Sequence, residues 1–510
     1  MNWVFLFFFC AIKKGQGEGA HNVSSSHSAE TWRLPAAMIT RFLVAVVGLC
    51  LTAAWPALAR PSDRVDASSA GRGIHPAAGE LGFFRGGGGG GGNSRTTTGL
   101  ERLCSSASFA KGVTGGRPTC ILAHAASVLP DLTHAVDALA DATKSGVNLV
   151  SVLAPEHGFR GAQQAGHGGK NATVDPRTGL QVFSIYTKSY DQILSLVQRD
   201  GCEVVLVDLQ DCGARFYTYI WSMYDVLVAA AGARSGHGNG APVKVVVLDR
   251  PNPLGGQRIE GPVLAEAFSS GVGKRPLSMR HGMTIGELAN LFNEEYVGQE
   301  DYAGGSKADL TVVQMQNWSR EMIFTDTGLP YVPPSPNLPT TDSVSLYLGL
   351  GLIEGVDLSE GRGTALPFQL IGAPYIGWEF ADALRGLSLP GVRIREAYFA
   401  PVMSKYANQT CGGVEVTVGP PPCELDALRV ALEVIKTAHD MFAGKAAPPA
   451  GGAGFSWVKT GSRYWIDLLT GNEMVRTGIE SGLEVDQIVA LWQKDLEWFK
   501  ILATKYLLYT

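Results

Sequence analysis

The chain has 510 residues, of which 45% are hydrophobic, and its 42 basic and 47 acidic side chains give a formal charge of −5. That composition supports a sizeable core divided over two or three domains. A balanced, interspersed charge gives no bulk attraction to nucleic acid or any other polyanion.

The first hundred residues read as targeting sequence and linker. After a short apolar stretch in Met1–Cys10, a better pattern begins at Met38. Arg41, the apolar run Phe42–Ala54 and Ala57-Leu58-Ala59 have the layout of a secretory signal cleaved after Ala59. The run is shorter than the roughly 20 residues a membrane span needs, so no span is expected in the mature chain. Residues 60–98 include the glycine run Gly86–Gly92 and cannot bury enough apolar area to order themselves. Past the targeting region, Cys104, Cys120, Cys202, Cys212, Cys411 and Cys423 form no C-x-x-C pair, which argues against structural zinc. Buried thiols are the default there, with a disulfide such as Cys411–Cys423 left open.

From Thr119 the pattern alternates. Strands are expected at Thr119–Ala123, Val147–Leu153, Gln181–Ile185, Glu203–Val207 and Val243–Leu248, with helices at Leu132–Ala142, Tyr190–Gln198 and Tyr219–Ala231. Apolar Val/Ile/Leu runs separated by amphipathic helices predict an α/β domain, a doubly wound, Rossmann-like parallel sheet, over residues 99–325. A smaller mixed α+β domain is expected over 326–510, with an active cleft between the two. It opens on the five-proline stretch Leu329–Pro339 and carries helices at Ser343–Ile353, Phe380–Leu387, Glu424–Phe442 and Val485–Tyr506 and a strand at Val414–Val418. No G-x-G-x-x-G follows the first strand and no G-x-x-x-x-G-K-[ST] occurs, so no nucleotide cofactor is expected. His157 with His167 is too weak a pair to suggest a metal.

Ligands of open parallel sheets sit outside the carboxyl ends of the strands, and three strand ends here carry acids with arginines. Val147–Leu153 runs into APEHGFRG, with Glu156, His157 and Arg160. Glu203–Val207 delivers Asp208, Asp211 and Arg215, then Tyr217, and Val243–Leu248 delivers Arg250 and Asn252. Three such ends on one edge favour a single site. Desolvation just past an apolar strand suits the Glu156 carboxyl to general-acid work, with His157 as a second acid/base or a sugar ligand. One of Asp208 and Asp211 caps the following helix or holds Arg215, and the other faces the ligand. Thr284-Ile-Gly-Glu287 is a capping box, and His281 just ahead of it is a cleft candidate. In the second region, Glu354-Gly-Val-Asp-Leu-Ser-Glu-Gly-Arg362-Gly-Thr364 has glycines on both sides of an arginine, which lets backbone and guanidinium approach an anion together. The rigid Pro333–Asn337 loop presents Asn337.

These stretches, with VDLQDCGARFYTY (Val207–Tyr219), LDRPNPLGG (Leu248–Gly256), HGMTIGELA (His281–Ala289), DTGLPYVPPSPNLPT (Asp326–Thr340), EGVDLSEGRGT (Glu354–Thr364), PFQLIGAP (Pro367–Pro374) and KYLLY (Lys505–Tyr509), resemble the exo-β-N-acetylmuramidase family of peptidoglycan hexosaminidases from about residue 100 onward. The resemblance implies a cofactor-free glycosidase that removes N-acetylmuramic acid from non-reducing ends of peptidoglycan fragments, with Glu156 at the family's proposed catalytic glutamate. A second carboxylate would then be Asp208, Asp211 or Glu354, unless the substrate's own acetamido group assists. The lactyl carboxylate of the sugar calls for an arginine fork, with Arg362, Arg250 and Arg215 as candidates. Where the family has Asn-Gln/His-Thr-Gly after its first strand, this chain has Ala123-His-Ala-Ala-Ser-Val128, so a ligand contact is lost there or rebuilt around His124. The rival readings are an inactive muropeptide-binding protein and a hydrolase of another acid-bearing β-glycoside.

Overall fold

The computed structural model describes residues 95–166, 172–420, 424–445 and 454–510. The signal, all of the linker up to residue 94, His167 and Cys423 lie outside the described residues. Arg95–Thr98, expected to belong to the linker, are instead built into the fold. Thr97 bridges to Gln316, and the Thr98 side chain caps helix Gly99–Cys104 by accepting from Glu101 N–H.

The central sheet contains β1 (Pro118–Ala123), β2 (Asn148–Ala154), β3 (Ala172–Val174), β4 (Gln181–Ser184), β5 (Val204–Asp208), β6 (Lys244–Leu248) and, after a small hairpin of β7 (Glu260–Val263) and β8 (Ser278–Arg280), β9 (Asp309–Val313). Its order is β3-β4-β2-β1-β5-β6-β9, parallel except for the β3 edge. The five expected strands are all present within a residue or two. The β-branched run of β9 is an addition on the far edge.

Period-two alternation sends neighbouring side chains to opposite faces, and both faces are buried. Val205 and Val207 of β5, with Val245 and Val247 of β6, join one core, while Val204, Leu206, Val246 and Leu248 join the other. The first core holds the long helix Tyr219–Arg234, buried nearly all round, and runs on into the C-terminal half. That continuity welds the two halves together. The C-terminal half contains a three-stranded antiparallel sheet of β10 (Leu370–Ala373), β11 (Val392–Phe399) and β12 (Cys411–Val418), in the order β10-β12-β11. Helix Trp378–Gly386 packs beside this sheet, and helix Ala427–Phe442 packs in turn against helices Trp378–Gly386 and Thr341–Leu350.

Three local expectations change. The helix expected over Leu132–Ala142 begins only at Ala135, because Leu132 is left-handed (φ 69°) and the His134 ring caps the helix by accepting from Val136 N–H. The helix expected over Val485–Tyr506 is two, Val485–Ala490 and Gln493–Thr504, broken where buried Trp492 leaves helical geometry (φ −105°, ψ 4°). Cys120 and Cys202 form a disulfide with a Cα–Cα distance of 5.8 Å, joining β1 to the approach of β5, whereas Cys411 is free.

Candidate active site

A cleft of about 640 Å³ opens between the carboxyl edge of the sheet and the C-terminal half. Its sheet-side wall is the turn after β2. Pro155 ends the strand, and His157 (φ 68°) and Gly158 (φ 76°) are both left-handed, reversing the chain so that Glu156 lines the cleft. A left-handed histidine costs on the order of 1 kcal/mol, a strain typical of functional turns. The Glu156 carboxylate accepts Gly166 N–H at Oε1 (2.7 Å) and the Thr218 hydroxyl at Oε2 (2.6 Å). Its backbone carbonyl accepts the Tyr219 hydroxyl (3.1 Å). His157 Nδ1 lies 3.0 Å from the Gln163 carbonyl. Burial lowers the His157 pKa, only partly offset by the charge of Glu156 and the Gln163 and Gln164 carbonyls, so the ring is neutral near pH 7. Tyr186, just past β4, also lines the cleft, and burial together with the nearby charge of Glu156 pushes its phenol up to about 12.

The facing wall comes from the Glu354–Thr364 stretch. Arg362 Nη2 donates to Glu354 (2.6 Å), its Nε lies 3.5 Å from Glu360, and its guanidinium sits 5.0 Å from the centre of the Phe368 ring. Nη1 has no hydrogen-bond partner among the described residues. Burial works against the arginine's charge, but Glu354 and Glu360 outweigh it and hold the pKa above its ordinary value. Lys405 Nζ donates to the carbonyls of Ile353, Val356 and Leu358 (2.8, 2.7 and 2.7 Å) and lies 3.1 Å from Glu360. Desolvation pushes the Glu360 carboxyl up, yet Lys405 and Arg362 prevail and keep it below the usual carboxylate value.

Of the residues expected at the site, Glu156, His157, Tyr217, Asn337, Glu354 and Arg362 line this cleft. Tyr217 contributes its ring, since its hydroxyl, like that of Tyr219, donates to the Pro334 carbonyl (2.9 and 3.0 Å). Asn337 donates to Gln164 (3.1 Å).

The other expected residues have closed on partners of their own. Asp208 takes a two-pronged bond from Arg250 (2.6 and 2.9 Å), both buried. Asp211 accepts Gly213 N–H and meets His281 Nε2 at 3.1 Å, and neither acid caps the following helix. Arg215 is not held by an acid. It is fully buried, donates to the carbonyls of Pro262, Leu277 and Leu469, and desolvation pushes it down to about 9. Asn252 bridges Met283 and Leu254, and Thr364 closes its own turn onto Gly361. Arg160 faces away from Glu156, pairing with Asp137 and Asp175 behind the turn.

The glycines beside Arg362 have a different reason from the one expected. A Cβ at Gly361 would lie 2.7 Å from the Leu370 carbonyl, and one at Gly363 2.6 Å from Met403 N, so close chain packing requires them. The altered loop is sealed as well. His124 is buried, accepts Gln210 N–H at Nε2 (2.9 Å) and packs edge-on to Tyr219, supporting the Glu156 turn from beneath. Glu287 caps its helix as expected and also pairs with Arg320. Sequence reasoning missed Tyr186, Thr218, Glu360 and Lys405. Thr218 and Glu360 lie inside the quoted motifs, whereas Tyr186 and Lys405 carry no local signal.

The profile of the N-terminal domain of the exo-β-N-acetylmuramidase NamZ matches residues 119–342, and that of its C-terminal domain matches 345–509. The chain is 41% identical over 395 residues to the peptidoglycan β-N-acetylmuramidase NamZ of Bacillus subtilis strain 168, covering 77% of this chain and 87% of that protein. The chain belongs to the NamZ family. Two solved DUF1343-family proteins from Bacteroides fragilis share the NamZ-type fold seen here, with TM-scores of 0.68 and 0.60 at 29% and 28% identity. Each comparison covers 82% of this chain and 99% of the other.

Proposed function

We propose that this NamZ-family chain is an exo-acting glycosidase that releases N-acetylmuramic acid from the non-reducing ends of peptidoglycan fragments, using no cofactor. The observation that carries the reading is the placement across one cleft of Glu156 and an arginine, Arg362. Glycoside hydrolysis needs a carboxyl to protonate the leaving oxygen, and Glu156 takes that role. N-acetylmuramic acid differs from N-acetylglucosamine by its lactyl carboxylate, which the part of the Arg362 guanidinium open to the cleft receives. Arg215 and Arg250, committed to carbonyls and to Asp208, drop out as lactyl ligands. Asp208 and Asp211 drop out as the second carboxylate for the same reason, and Glu354 and Glu360 remain on the far wall.

A chromogenic aryl β-N-acetylmuramide tests the reading. Wild type releases the chromophore, and the matching N-acetylglucosaminide is a much poorer substrate. Tight muropeptide binding by calorimetry without turnover of any muramide would instead favour a binding protein.

Export through the Met38–Ala59 signal completes the proposal. The Cys120–Cys202 disulfide supports it, because such bonds persist in oxidising compartments. N-terminal sequencing of secreted protein should begin at Arg60.

A further inference from the structure

Two anchored loops meet in the cleft. Gln164 belongs to the loop after β2, which is tied back to the Glu156 turn on both sides of it. Gln163 N–H donates to the His157 carbonyl (3.3 Å), the Gln163 carbonyl lies 3.0 Å from His157 Nδ1, and Gly166 N–H reaches Glu156 Oε1 (2.7 Å). Asn337 belongs to the loop that leads into helix Thr341–Leu350. Pro333, Pro334 and Pro336 stiffen that loop. The Ser335 hydroxyl accepts Asn337 N–H (3.2 Å), and the hydroxyls of Tyr217 and Tyr219 donate to the Pro334 carbonyl. Between the two loops Asn337 Nδ2 donates to Gln164 Oε1 (3.1 Å), and both residues line the cleft.

That bond uses one donor and one acceptor of two carboxamides, and it is the only hydrogen bond either side chain makes among the described residues. Asn337 Oδ1 is left as an acceptor and Gln164 Nε2 as a donor. Asn337 is buried as a residue, but its Oδ1 is not sealed away, and Gln164 is exposed. Exchanging oxygen and nitrogen in both side chains still leaves one free acceptor and one free donor. A ligand in the cleft therefore meets one group of each kind, side by side. From this geometry we infer that Gln164 and Asn337 form the pocket for the 2-acetamido group of the muramide and decide between a 2-acetamido and a 2-hydroxyl sugar. The inference rests on the cleft being the muramidase site and adds a second point of recognition to the lactyl carboxylate.

A secondary amide is the complement of this pair. Its N–H donates to the free oxygen while its carbonyl accepts from the free nitrogen. A hydroxyl in the same place is a single atom and cannot span both, so one carboxamide group stays unpaired, and sites built around polar contacts discriminate strongly for that reason. The position on the chain agrees. C2 of the sugar, which carries the acetamido group, adjoins C1, whose leaving oxygen Glu156 serves. Gln164 is two residues from Gly166, which bonds Glu156 directly, so at most about 7 Å of backbone separates the pair from that contact.

The test compares two aryl β-glycosides that share the 3-O-lactyl group and differ only at C2, the N-acetylmuramide and its 2-hydroxyl counterpart. Wild type should favour the acetamido sugar by at least about 100-fold in kcat/KM. Gln164→Met keeps the length of an exposed side chain and removes both of its polar atoms. It should lower kcat/KM for the acetamido sugar about 10-fold and leave the 2-hydroxyl sugar within about twofold, with Tm unchanged. The inhibition constant of the 2-hydroxyl sugar serves where its turnover is too slow to follow. Asn337→Ala should act in the same way, and the double variant should lose little more than either single one, because the two amides work as a unit. An unchanged preference in Gln164→Met, an equal loss on both sugars, or a wild type that does not distinguish them overturns the inference and leaves the muramidase reading standing. A fully additive double variant overturns it too. No turnover of either sugar by wild type removes the inference together with the reading beneath it. If Asn337→Ala unfolds early, Gln164→Met decides alone.

Discussion

The carboxyl edge of the sheet carries two kinds of charged turn. After β2 and β4, Glu156 and Tyr186 face a 640 Å³ cleft, and the Glu156 carboxylate is held by the Gly166 N–H and the Thr218 hydroxyl. After β5 and β6, Asp208, Asp211, Arg250 and Asn252 bond to one another, to His281 or to the backbone, and none of them lines the 640 Å³ cleft. The two turns carry similar residues at the same edge of one sheet. What separates them is the partner: an acid matched by a buried arginine is spent on structure, whereas an acid held by one hydroxyl and one backbone N–H beside open space is available for chemistry.

Four measurements can break or sharpen that contrast. The largest effect should come from Asp208→Ala, which strands Arg250 as a buried charge and should cost about 3–5 kcal/mol in chemical denaturation. The fraction still folded should keep wild-type kcat, and a selective loss of kcat would return Asp208 to the site. Glu156→Gln should give the reverse pattern, a fall of at least about 100-fold in kcat, roughly 2.7 kcal/mol, with little change in Tm. Arg362→Lys keeps a charge between Glu354 and Glu360 but loses the planar fork. KM for the muramide should rise about 10-fold while the weak rate on the N-acetylglucosaminide stays put. An equal loss on both sugars would remove Arg362 from lactyl recognition.

The fourth measurement concerns Asp249, on the closed side. Burial outweighs donors from Tyr509, Gly286 and Thr284 and pushes its carboxyl up to about 7 from 3.8. The folded chain then holds a proton that the unfolded chain has released, so stability declines as pH climbs from about 4 to 7. The slope is at most about 1.4 kcal/mol per pH unit. Denaturation at several pH values should show that decline, and Asp249→Asn should flatten it.

The contrast also explains what could be read from the sequence. The sheet was legible because buried parallel strands are continuous Val/Ile/Leu runs, and Glu156 because a proline, an acid and a glycine follow one of them directly. Arg362 was legible as a cleft residue, though its glycines are there for packing. Asp208 and Arg250 misled because a strand-end acid looks the same whether it meets a ligand or an arginine 42 residues away. Tyr186 becomes meaningful only once β4 is known to lie beside β2. Lys405 gains a role only when three carbonyls of a distant turn close around it. The Cys120–Cys202 pair depends on two strands, separated by 82 residues, becoming neighbours.

Arg215 has a consequence for how the molecule is made. Its guanidinium is buried with no acid paired to it among the described residues, and one of its three carbonyl acceptors, Leu469, lies 254 residues further along the chain. Leu508 N–H and the Tyr509 hydroxyl return in the same way to Glu287 and Asp249 (2.8 and 2.6 Å). While these later residues are still inside the ribosome, the emerging sheet carries a stranded cation and acids short of donors. Completion of the sheet therefore waits on the last helices, and a ribosome stalled anywhere before Leu469 should present a nascent chain that remains open to protease.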